Sequence, residues 1–305
     1  MQTPLTRAFS RRIVNTFGQA GQNWLQSLPS MLDDIASNWL ITLKPAFQDT
    51  SYSYVTPVVR ADGSEAVLKV GVPNRELQAE IEALKVFNGQ GAVRLIDSDP
   101  VVGALLLEHV KPGKPLLDLV DDELATTVAG QVMLRLWGSN VQEGMVPSVE
   151  DWFSGLHQLR GHFDGGTGPF PKHLIDTAEG LFRDLIKSMA KTTLLHGDLH
   201  HWNILSAERE PWLAIDPKGV IGEPAYEIGA WLRNPFPSIV EQPHLEKIIV
   251  RRIDQLAEEL GLDRKRILGW ALAQSVLAAW WSYESGDEED RELWFACAEV
   301  FAKLE

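Results

Sequence analysis

The 305-residue sequence contains a single cysteine, Cys297, which excludes an intramolecular disulfide framework and zinc sites built from several cysteines. Cationic residues are also scarce, since 28 Lys and Arg stand against 42 Asp and Glu and leave a net charge of −14. This charge repels a phosphate backbone, so we expect no nucleic-acid partner and find a cationic partner easier to accommodate. The lone cysteine favours a reducing, cytoplasmic compartment.

Long apolar runs are missing as well. The most apolar stretch, GWALAQSVLAAWW from residue 269, is shorter than the roughly 18 residues of a membrane span and contains Gln274 and Ser275. It predicts a buried helix, and we expect no membrane partner. The first 32 residues contain arginines but no acid, as a transit peptide does, although their apolar positions also fit a helix docked on the fold. Those positions are Leu5, Phe9, Ile13 and Phe17.

The first third of the chain combines short strands with helices. After a leading helical region at 24–39, five segments with β-branched or aromatic residues are predicted strands: 41–43, 52–59, 65–71, 93–97 and 103–110. Pro73 opens a helix over RELQAEIEALKVFN that Gly89 closes. The short connections between the first strands indicate an antiparallel sheet.

A polar segment, KPGKP at 111–115, separates this region from a mainly helical remainder. We therefore predict an α+β fold with two lobes. The N-terminal lobe, 1–110, contains the helical extension, the sheet and one helix. Residues 111–115 form the hinge, and residues 116–305 form the helical C-terminal lobe with the catalytic loop.

The stretch LLHGDLHHWNIL at 194–205 concentrates polar residues in an apolar frame. If 204–206 and 212–215 form a hairpin, Asn203 and Asp216 meet at the same end of it. A carboxylate and an amide oxygen suit Mg²⁺. Asp198 lies on the loop that enters the hairpin, and H-x-D-x-x-x-x-N followed by a strand ending in Asp is the order of a protein-kinase catalytic loop. Asp198 would then accept the proton of a substrate hydroxyl.

Zinc is the alternative at this loop, because His196 and His200 stand four residues apart and His201 is adjacent. Gly197 argues against the helix that would align this pair, and no Glu occupies the position that a zinc protease requires. We expect His196 to brace the loop, and at least one of His200 and His201 to be an ordinary buried histidine.

The N-terminal lobe supplies a candidate phosphate-binding cation. Strand alternation places Lys69 with Val67 on one face of EAVLKVG. In the following helix Glu80 falls inside the apolar stripe, so it needs a buried partner, and Lys69 is the first choice. Glu76 is the second choice. A glycine-rich phosphate loop is absent from 48–54, where hydroxyls including those of Ser51 and Ser53 could cover the phosphates.

The chain resembles the aminoglycoside/hydroxyurea antibiotic-resistance kinases, which include streptomycin 6-phosphotransferases and have a protein-kinase-like fold. The most specific segments are LLHGDLHHWNIL and AIDPKGVIGEPAYEIGAWLRNP. Supporting similarity runs through SYSYVTPVVRADGSEAVLKV, GAVRLIDSDPVVGALLLEHVKPGKPL and LAAWWSYESGD, and so covers most of the chain after about residue 50.

The resemblance implies ATP and Mg²⁺ as co-substrates and phosphate transfer to a hydroxyl of a small molecule. It implies Asp198 as catalytic base, Asn203 and Asp216 as metal ligands, and Lys69 as phosphate ligand, with adenine held by backbone around Glu108 to Val110. The acceptor would be polyhydroxylated and cationic, such as a streptomycin-like aminoglycoside or an amino sugar. Candidate acceptor contacts are Lys218, Glu223, Glu227, Trp281 and Glu284.

A second hypothesis is a non-catalytic module that binds nucleotide on a kinase-like scaffold. The joint presence of Lys69, Asp198, Asn203 and Asp216 argues against it, because a scaffold does not need the base. Glu223 and Glu227 stand where the resemblance predicts aspartates, which affects the expected acceptor more than the chemistry.

Overall fold

The structure, a computed structural model, describes residues 5–48, 50–138 and 144–304. Its N-terminal lobe contains the predicted five-stranded sheet, in which neighbouring strands all run antiparallel in the order β1-β2-β3-β5-β4. The strands are β1 Ile41–Leu43, β2 Ser53–Arg60, β3 Glu65–Gly71, β4 Leu95–Asp99 and β5 Ala104–Glu108. The bounds of β1 and β3 are as predicted, and the others differ by one or two residues.

One helix covers each face of the sheet. The long helix α1, Arg7–Asn38, bends at Gly18, where the backbone φ of +54° lies in the left-handed region, and buries Phe9, Ile13 and Trp24. These side chains share a core with Ala66, Leu68 and Val70 of β3. Residues 7–32 thus belong to a helix docked on the sheet, as one of the two alternatives predicted, and this helix extends the helical region predicted at 24–39.

Helix α2, Arg75–Phe87, packs on the opposite face through Leu77, Ile81 and Leu84. The sequence predicted that Pro73 opens this helix, but Pro73 lies before its first turn. Asn74 caps the helix instead, because its side chain accepts a hydrogen bond of 2.8 Å from the backbone N–H of Leu77. The C-terminal end is closed by Asn88 and Gly89, both with positive φ.

The KPGKP segment forms a short strand, β6 Pro112–Pro115, which pairs with a strand of the C-terminal lobe. That partner, β8 Ile204–Ala207, also pairs with β9 Trp212–Ala214, and this is the predicted hairpin. A separate pair, β7 Thr193–Leu195 with β10 Val220–Gly222, flanks the loop at 196–203. Four short strands therefore frame the candidate site.

Helices build the rest of the C-terminal lobe. They are α3 Asp122–Leu136, α4 Val149–His162, α5 Lys172–Lys187, α6 Pro224–Leu232, α7 Leu245–Leu260, α8 Arg264–Glu284 and α9 Glu288–Leu304. Helix α8 contains the GWALAQSVLAAWW stretch and is buried without interruption from Ile267 to Trp280, as predicted. No helix among the described residues has the length and apolar character to cross a bilayer.

The two lobes meet closely behind the site. Backbone N–H groups of Val93 and Ala214 donate to the carbonyls of Ala214 and Gly91, each at 2.8 Å. Gly219, with φ of +66°, lies against α2: a Cβ there would stand 2.8 Å from the Ala79 carbonyl oxygen. Only glycine combines this backbone conformation with such a close approach.

Candidate active site

The loop between β7 and β8 carries the polar residues of LLHGDLHHWNIL. Its course requires glycine at 197, where φ is +85° and a Cβ would meet the ring of Trp152 at 2.9 Å. The buried carboxylate of Glu227 on α6 fixes the loop by accepting backbone N–H bonds from His196 (2.6 Å) and Gly197 (2.9 Å). Burial raises the pKa of Glu227 to about 7, although these two N–H donors oppose the rise.

His196 braces the loop, as predicted. Its Nε2 lies 2.8 Å from the carbonyl oxygen of Ile215, on the chain that leads out of β9. Burial lowers the pKa of His196 to about 4, so the ring is neutral and can donate to this carbonyl. The contact ties the start of the loop to the segment that ends in Asp216.

Asp198 lies between two nitrogen groups, neither of which is within hydrogen-bond distance. His200 Nε2 is 3.6 Å and Arg233 Nη2 is 3.8 Å from its carboxylate oxygens. Burial raises the pKa of Asp198, but His200, Arg233 and Lys218 outweigh burial and hold the pKa well below its usual range. The carboxylate is therefore ionised at neutral pH and can accept a hydrogen bond from a ligand hydroxyl.

Asn203 and Asp216 meet at the end of the hairpin, as its geometry predicts. The backbone N–H of Ile215 donates to the Asn203 carbonyl at 2.9 Å, which places Asp216 beside Asn203. Asn203 Nδ2 donates to the Asp198 carbonyl oxygen at 3.0 Å, so the amide oxygen is left for a cation. Asp216 has φ of +62°, an uncommon conformation that Asp tolerates. A carboxylate and an amide oxygen are hard ligands that fit Mg²⁺.

The predicted pair of Lys69 and Glu80 is present and buried. Lys69 Nζ lies 2.7 Å from both carboxylate oxygens of Glu80, and it also donates to Asp216. Burial lowers the pKa of Lys69, but Asp216 and Glu80 outweigh burial and raise it above its usual range. The Lys69 ammonium thus stays charged and links the N-terminal lobe to Asp216, which lies beside Asn203. The pKa of Asp216 falls to about 2, since Lys69 and Lys218 outweigh its burial.

Glu76 pairs with Lys218 rather than with Lys69. The backbone N–H of Lys218 donates to the His196 carbonyl at 2.8 Å, so this lysine is attached to the loop as well. Burial lowers the pKa of Lys218, but Glu76, Asp216 and Asp198 together raise it. Lys218 is consequently a cation close to both aspartates.

The residues predicted to contact the nucleotide lie at the end of β5 and around the start of β2. The Glu108 carboxylate accepts two hydrogen bonds of 3.0 Å from Arg209, and the Glu108 N–H donates to the Arg94 carbonyl at 2.9 Å. Val110 lies two residues beyond the end of β5. Ser53 begins β2 opposite Gly71, and Ser51 is exposed on the preceding loop.

Glu223 and Glu227 are not placed to contact an acceptor, which corrects their prediction. Glu227 is 1% exposed and holds the loop backbone. Glu223, 8% exposed, accepts bonds from Arg266 Nε and Nη2 and from the indole N–H of Trp270. The longer side chain, compared with the expected aspartate, reaches these groups inside the lobe.

Trp281 and Glu284 lie at the exposed end of α8. Trp281 stands edge-on to Trp152, with ring centroids 5.6 Å apart, and Trp152 in turn lies against Gly197. The ring of Trp152 therefore lies between Trp281 and the catalytic loop. Burial raises the pKa of Glu284. Trp152 was not singled out from sequence, because no spacing rule links α4 to residue 197.

The three histidines do not converge. His196 contacts Ile215, His200 faces Asp198, and His201 stacks on Trp231 with ring centroids 3.8 Å apart. Within the described ranges, no group of three His, Cys, Asp or Glu side chains is arranged to hold a metal ion. His201 is buried, as the sequence predicted for at least one of His200 and His201.

Comparison with known proteins gives a consistent result. The family model of aminoglycoside/hydroxyurea antibiotic resistance kinases matches residues 38–286. The chain is 33% identical over 283 residues to a streptomycin 6-kinase of Streptomyces glaucescens, covering 93% of this chain and 91% of that protein. It is 35% identical over 292 residues to a hydroxyurea phosphotransferase of Kitasatospora aureofaciens, covering 93% and 81%.

The fold has solved counterparts. One is a thermostable mutant of aminoglycoside phosphotransferase APH(4)-Ia in a ternary complex with ADP and hygromycin B. Its TM-score is 0.63 at 14% identity, over 88% of this chain and 97% of the other. At this identity the likeness shows a shared two-lobed kinase-like fold and no more.

Proposed function

The chain belongs to the aminoglycoside/hydroxyurea antibiotic resistance kinase family, and on that premise we propose that it transfers the γ-phosphate of ATP to a hydroxyl of a small molecule. The observation that carries the proposal is the convergence of Asp198, Asn203 and Asp216 with Lys69 of the other lobe. One site thus offers a base, two oxygens for a cation and an ammonium for phosphate.

Each residue has a separate task in this proposal. Lys69, held by Glu80, binds phosphate oxygens, and the backbone around Glu108 to Val110 binds the base of the nucleotide. Asn203 and Asp216 would hold Mg²⁺, which when bound neutralises charge on the phosphates. Ser51 and Ser53 cover the phosphates in place of a glycine-rich loop. Lys218, which lies close to both aspartates, binds a phosphate oxygen or the acceptor.

Asp198 orients the acceptor. The hydroxyl oxygen forms a bond to the γ-phosphorus, the bond from that phosphorus to the bridging oxygen breaks, and ADP leaves with the electron pair. The hydroxyl proton passes to Asp198. Because Asp198 is a weak base, its main contribution is to hold and aim the hydroxyl, and it takes the proton as the new bond forms.

The acceptor belongs to the polyhydroxylated amines, with streptomycin-like aminoglycosides and amino sugars as first candidates. Support for this class comes from the two relatives named streptomycin 6-kinase and from the overall negative charge of the chain. Trp281 and Glu284 at the end of α8 form an aromatic and acidic surface that suits the cationic part of such a molecule.

The test is Mg²⁺-dependent release of ADP with a panel of streptomycin, other aminoglycosides, amino sugars and hydroxyurea. Asp198→Ala should lower kcat by about 10²- to 10⁴-fold and leave ATP binding intact, since the base touches the acceptor rather than the nucleotide. Asp184→Ala, on the exposed face of α5, is the matched control. Unchanged turnover in Asp198→Ala would remove Asp198 as the base. ATP binding without transfer to any acceptor would favour the non-catalytic module.

A further inference from the structure

Helix α2 carries two carboxylates one turn apart, and each of them holds a lysine. Glu80 accepts bonds of 2.7 Å from Lys69, and these two side chains are 8% and 11% exposed. Glu76 accepts a bond from Lys218, and these two side chains are 58% and 32% exposed. The first pair keeps Lys69 in place for phosphate. The second pair has no task in the phosphotransfer scheme, and an exposed pair of this kind contributes little to folding.

The backbone of Lys218 is fixed close to the catalytic base. Its N–H donates to the His196 carbonyl at 2.8 Å, and the N–H of the next residue donates to the same carbonyl at 3.1 Å. The Lys218 Cβ lies 3.3 Å from the point where a Cβ on Gly197 would stand. The side chain therefore starts beside the residue that precedes Asp198, two positions after Asp216. Its flexible end, by contrast, is held from α2 of the other lobe.

Electrostatic contacts locate the Lys218 ammonium near the transferred phosphoryl group. Asp216 and Asp198 both attract this ammonium. In the proposed reaction the phosphoryl group lies between a cation on Asp216 and the hydroxyl held by Asp198. An ammonium offers three donors, and within the described ranges the bond to Glu76 is the only one that Lys218 Nζ makes. Two donors are thus left for a ligand.

The sign of the charge on Lys218 selects the ligand. The acceptor is proposed to be cationic, and a cationic group beside this ammonium would be repelled, whereas a phosphoryl oxygen gains a charge-assisted hydrogen bond. Residues 198–203 of the catalytic loop contain no lysine or arginine, so a cation at this point comes from outside the loop. Lys218 therefore matches the phosphate and not the acceptor.

We propose that Glu76 is a positioning residue and that Lys218, which it holds, binds an oxygen of the transferred phosphoryl group. Helix α2 then aims two ammonium groups at the nucleotide, Lys69 through Glu80 and Lys218 through Glu76. The close packing of Gly219 on α2 keeps the helix and the second lysine in register. The inference rests on the proposed function, because it needs phosphate transfer at this site.

The experiment measures kcat and KM for ATP with each acceptor that wild type phosphorylates. Lys218→Met should lower kcat about 10- to 100-fold with every acceptor, the range of one charge-assisted hydrogen bond, and leave both KM values nearly unchanged. Glu76→Gln should lower kcat by about 3- to 10-fold, because the ammonium remains but is no longer aimed. Glu82→Gln is the matched control, since Glu82 lies on the same helix and pairs with Lys85, and it should behave as wild type.

Two further measurements separate positioning from a merely structural role. In the Lys218→Met background, Glu76→Gln should cause no further loss of kcat, because its effect passes through the lysine. Binding of ADP with Mg²⁺ and aluminium fluoride, which takes the place of the transferred phosphoryl group, should weaken about 10- to 100-fold in Lys218→Met, whereas ADP alone should bind as in wild type. Thermal unfolding of both single variants should stay close to wild type, because the pair is exposed.

Three results would overturn the inference. Additive losses in the double variant would show that Glu76 does not act through Lys218. A loss in Lys218→Met that appears in KM for the acceptor, and differs between neutral and cationic acceptors, would place this lysine on the acceptor. Wild-type kcat in both single variants would remove both roles. In each case, transfer that depends on Asp198 leaves the proposed phosphotransferase function standing. Conversely, aluminium fluoride binding that depends on Lys218 supports the phosphoryl contact even if wild type transfers to no acceptor in the panel.

Discussion

Glu227 determines the conformation of the catalytic loop although it touches no substrate. Its two carboxylate oxygens accept the N–H groups of His196 and Gly197, which are adjacent in the chain and point the same way. A carboxyl group with its two oxygens offers an acceptor to each of these donors. Because Asp198 directly follows Gly197, loss of either hydrogen bond to Glu227 would displace the catalytic base.

Glu227→Gln should therefore impair both stability and turnover. The amide keeps one acceptor but turns an NH₂ group toward the second N–H, which leaves a buried donor unpaired at a cost of about 1–3 kcal/mol. A displaced Asp198 should lower kcat by up to roughly 10²-fold with little change in ATP affinity. Thermal unfolding and steady-state kinetics measure the two effects. Wild-type kcat in a correctly folded Glu227→Gln would contradict the anchoring role.

Local pattern explains which site residues could be predicted from sequence. Lys69 and Glu80 follow from strand alternation and from an acid inside an apolar helical stripe, and both rules act over a few residues. Arg233 does not follow from such a rule, because Gln274, Asp198 and Trp294 reach it from three distant segments. Glu223 was misassigned for the same reason, since Arg266 and Trp270 are more than forty residues away in sequence.

At the level of elements, amphipathic segments and the long apolar stretch in α8 were predicted, whereas the short buried helix α6 was not. The alternating strands β1 and β3 have the expected bounds, and α3 and α5 lie in the region that was predicted to be mainly helical. Helix α6 was missed because it is buried on all sides from Ala225 to Leu232 and shows no polar face. The composition of residues 112–115 predicts a linker, but their backbone forms a strand that pairs with β8.

Helix α7 supports the catalytic loop through one buried arginine. Arg252, 2% exposed, donates from Nη2 to the Asp122 carboxylate on α3 at 2.5 Å and from Nη1 to the Asn234 carbonyl at 2.6 Å. Its guanidinium carbon lies 5.3 Å from the ring centre of Trp231, on which His201 is stacked. The Arg252 guanidinium on α7 thus contacts α3 and the end of α6, and through Trp231 it supports the ring of His201 in the loop.

Arg252→Met should consequently destabilise the fold by about 1–3 kcal/mol, the usual cost of leaving buried carbonyl oxygens without their donor, since Asp122 keeps its pair with Arg251. Arg251→Met is a matched control, because Arg251 pairs with the same Asp122 but is about one-third exposed. Its loss should cost about 1 kcal/mol or less. Urea denaturation of both variants provides the comparison. Equal losses would show that the surface pair, and not the buried network, connects α7 to α3.

On the scale of the whole molecule, the lobes are joined behind the active site by Arg209, in the turn between β8 and β9. Its guanidinium binds the Glu108 carboxylate at 3.0 Å, the Gly89 carbonyl at 2.6 Å and the Ala92 carbonyl at 3.0 Å. These acceptors lie at the end of α2 and along the edge of the N-terminal lobe. The same contact fixes the chain that leads from β5 to Val110, where the nucleotide base is proposed to bind.

Arg209→Met tests whether this junction sets nucleotide affinity. The substitution leaves one Glu108 carboxylate oxygen and two carbonyls without their donor, so we expect a loss of about 1–3 kcal/mol and a fall in Tm of roughly 2–4 °C per kcal/mol. KM for ATP should rise severalfold while kcat at saturating ATP changes little, because Asp198 and its anchor Glu227 lie outside the junction. Arg60→Met, in the exposed hairpin between β2 and β3, is the control. If KM for ATP stays at the wild-type value while Tm falls, the junction stabilises the fold without positioning the nucleotide site.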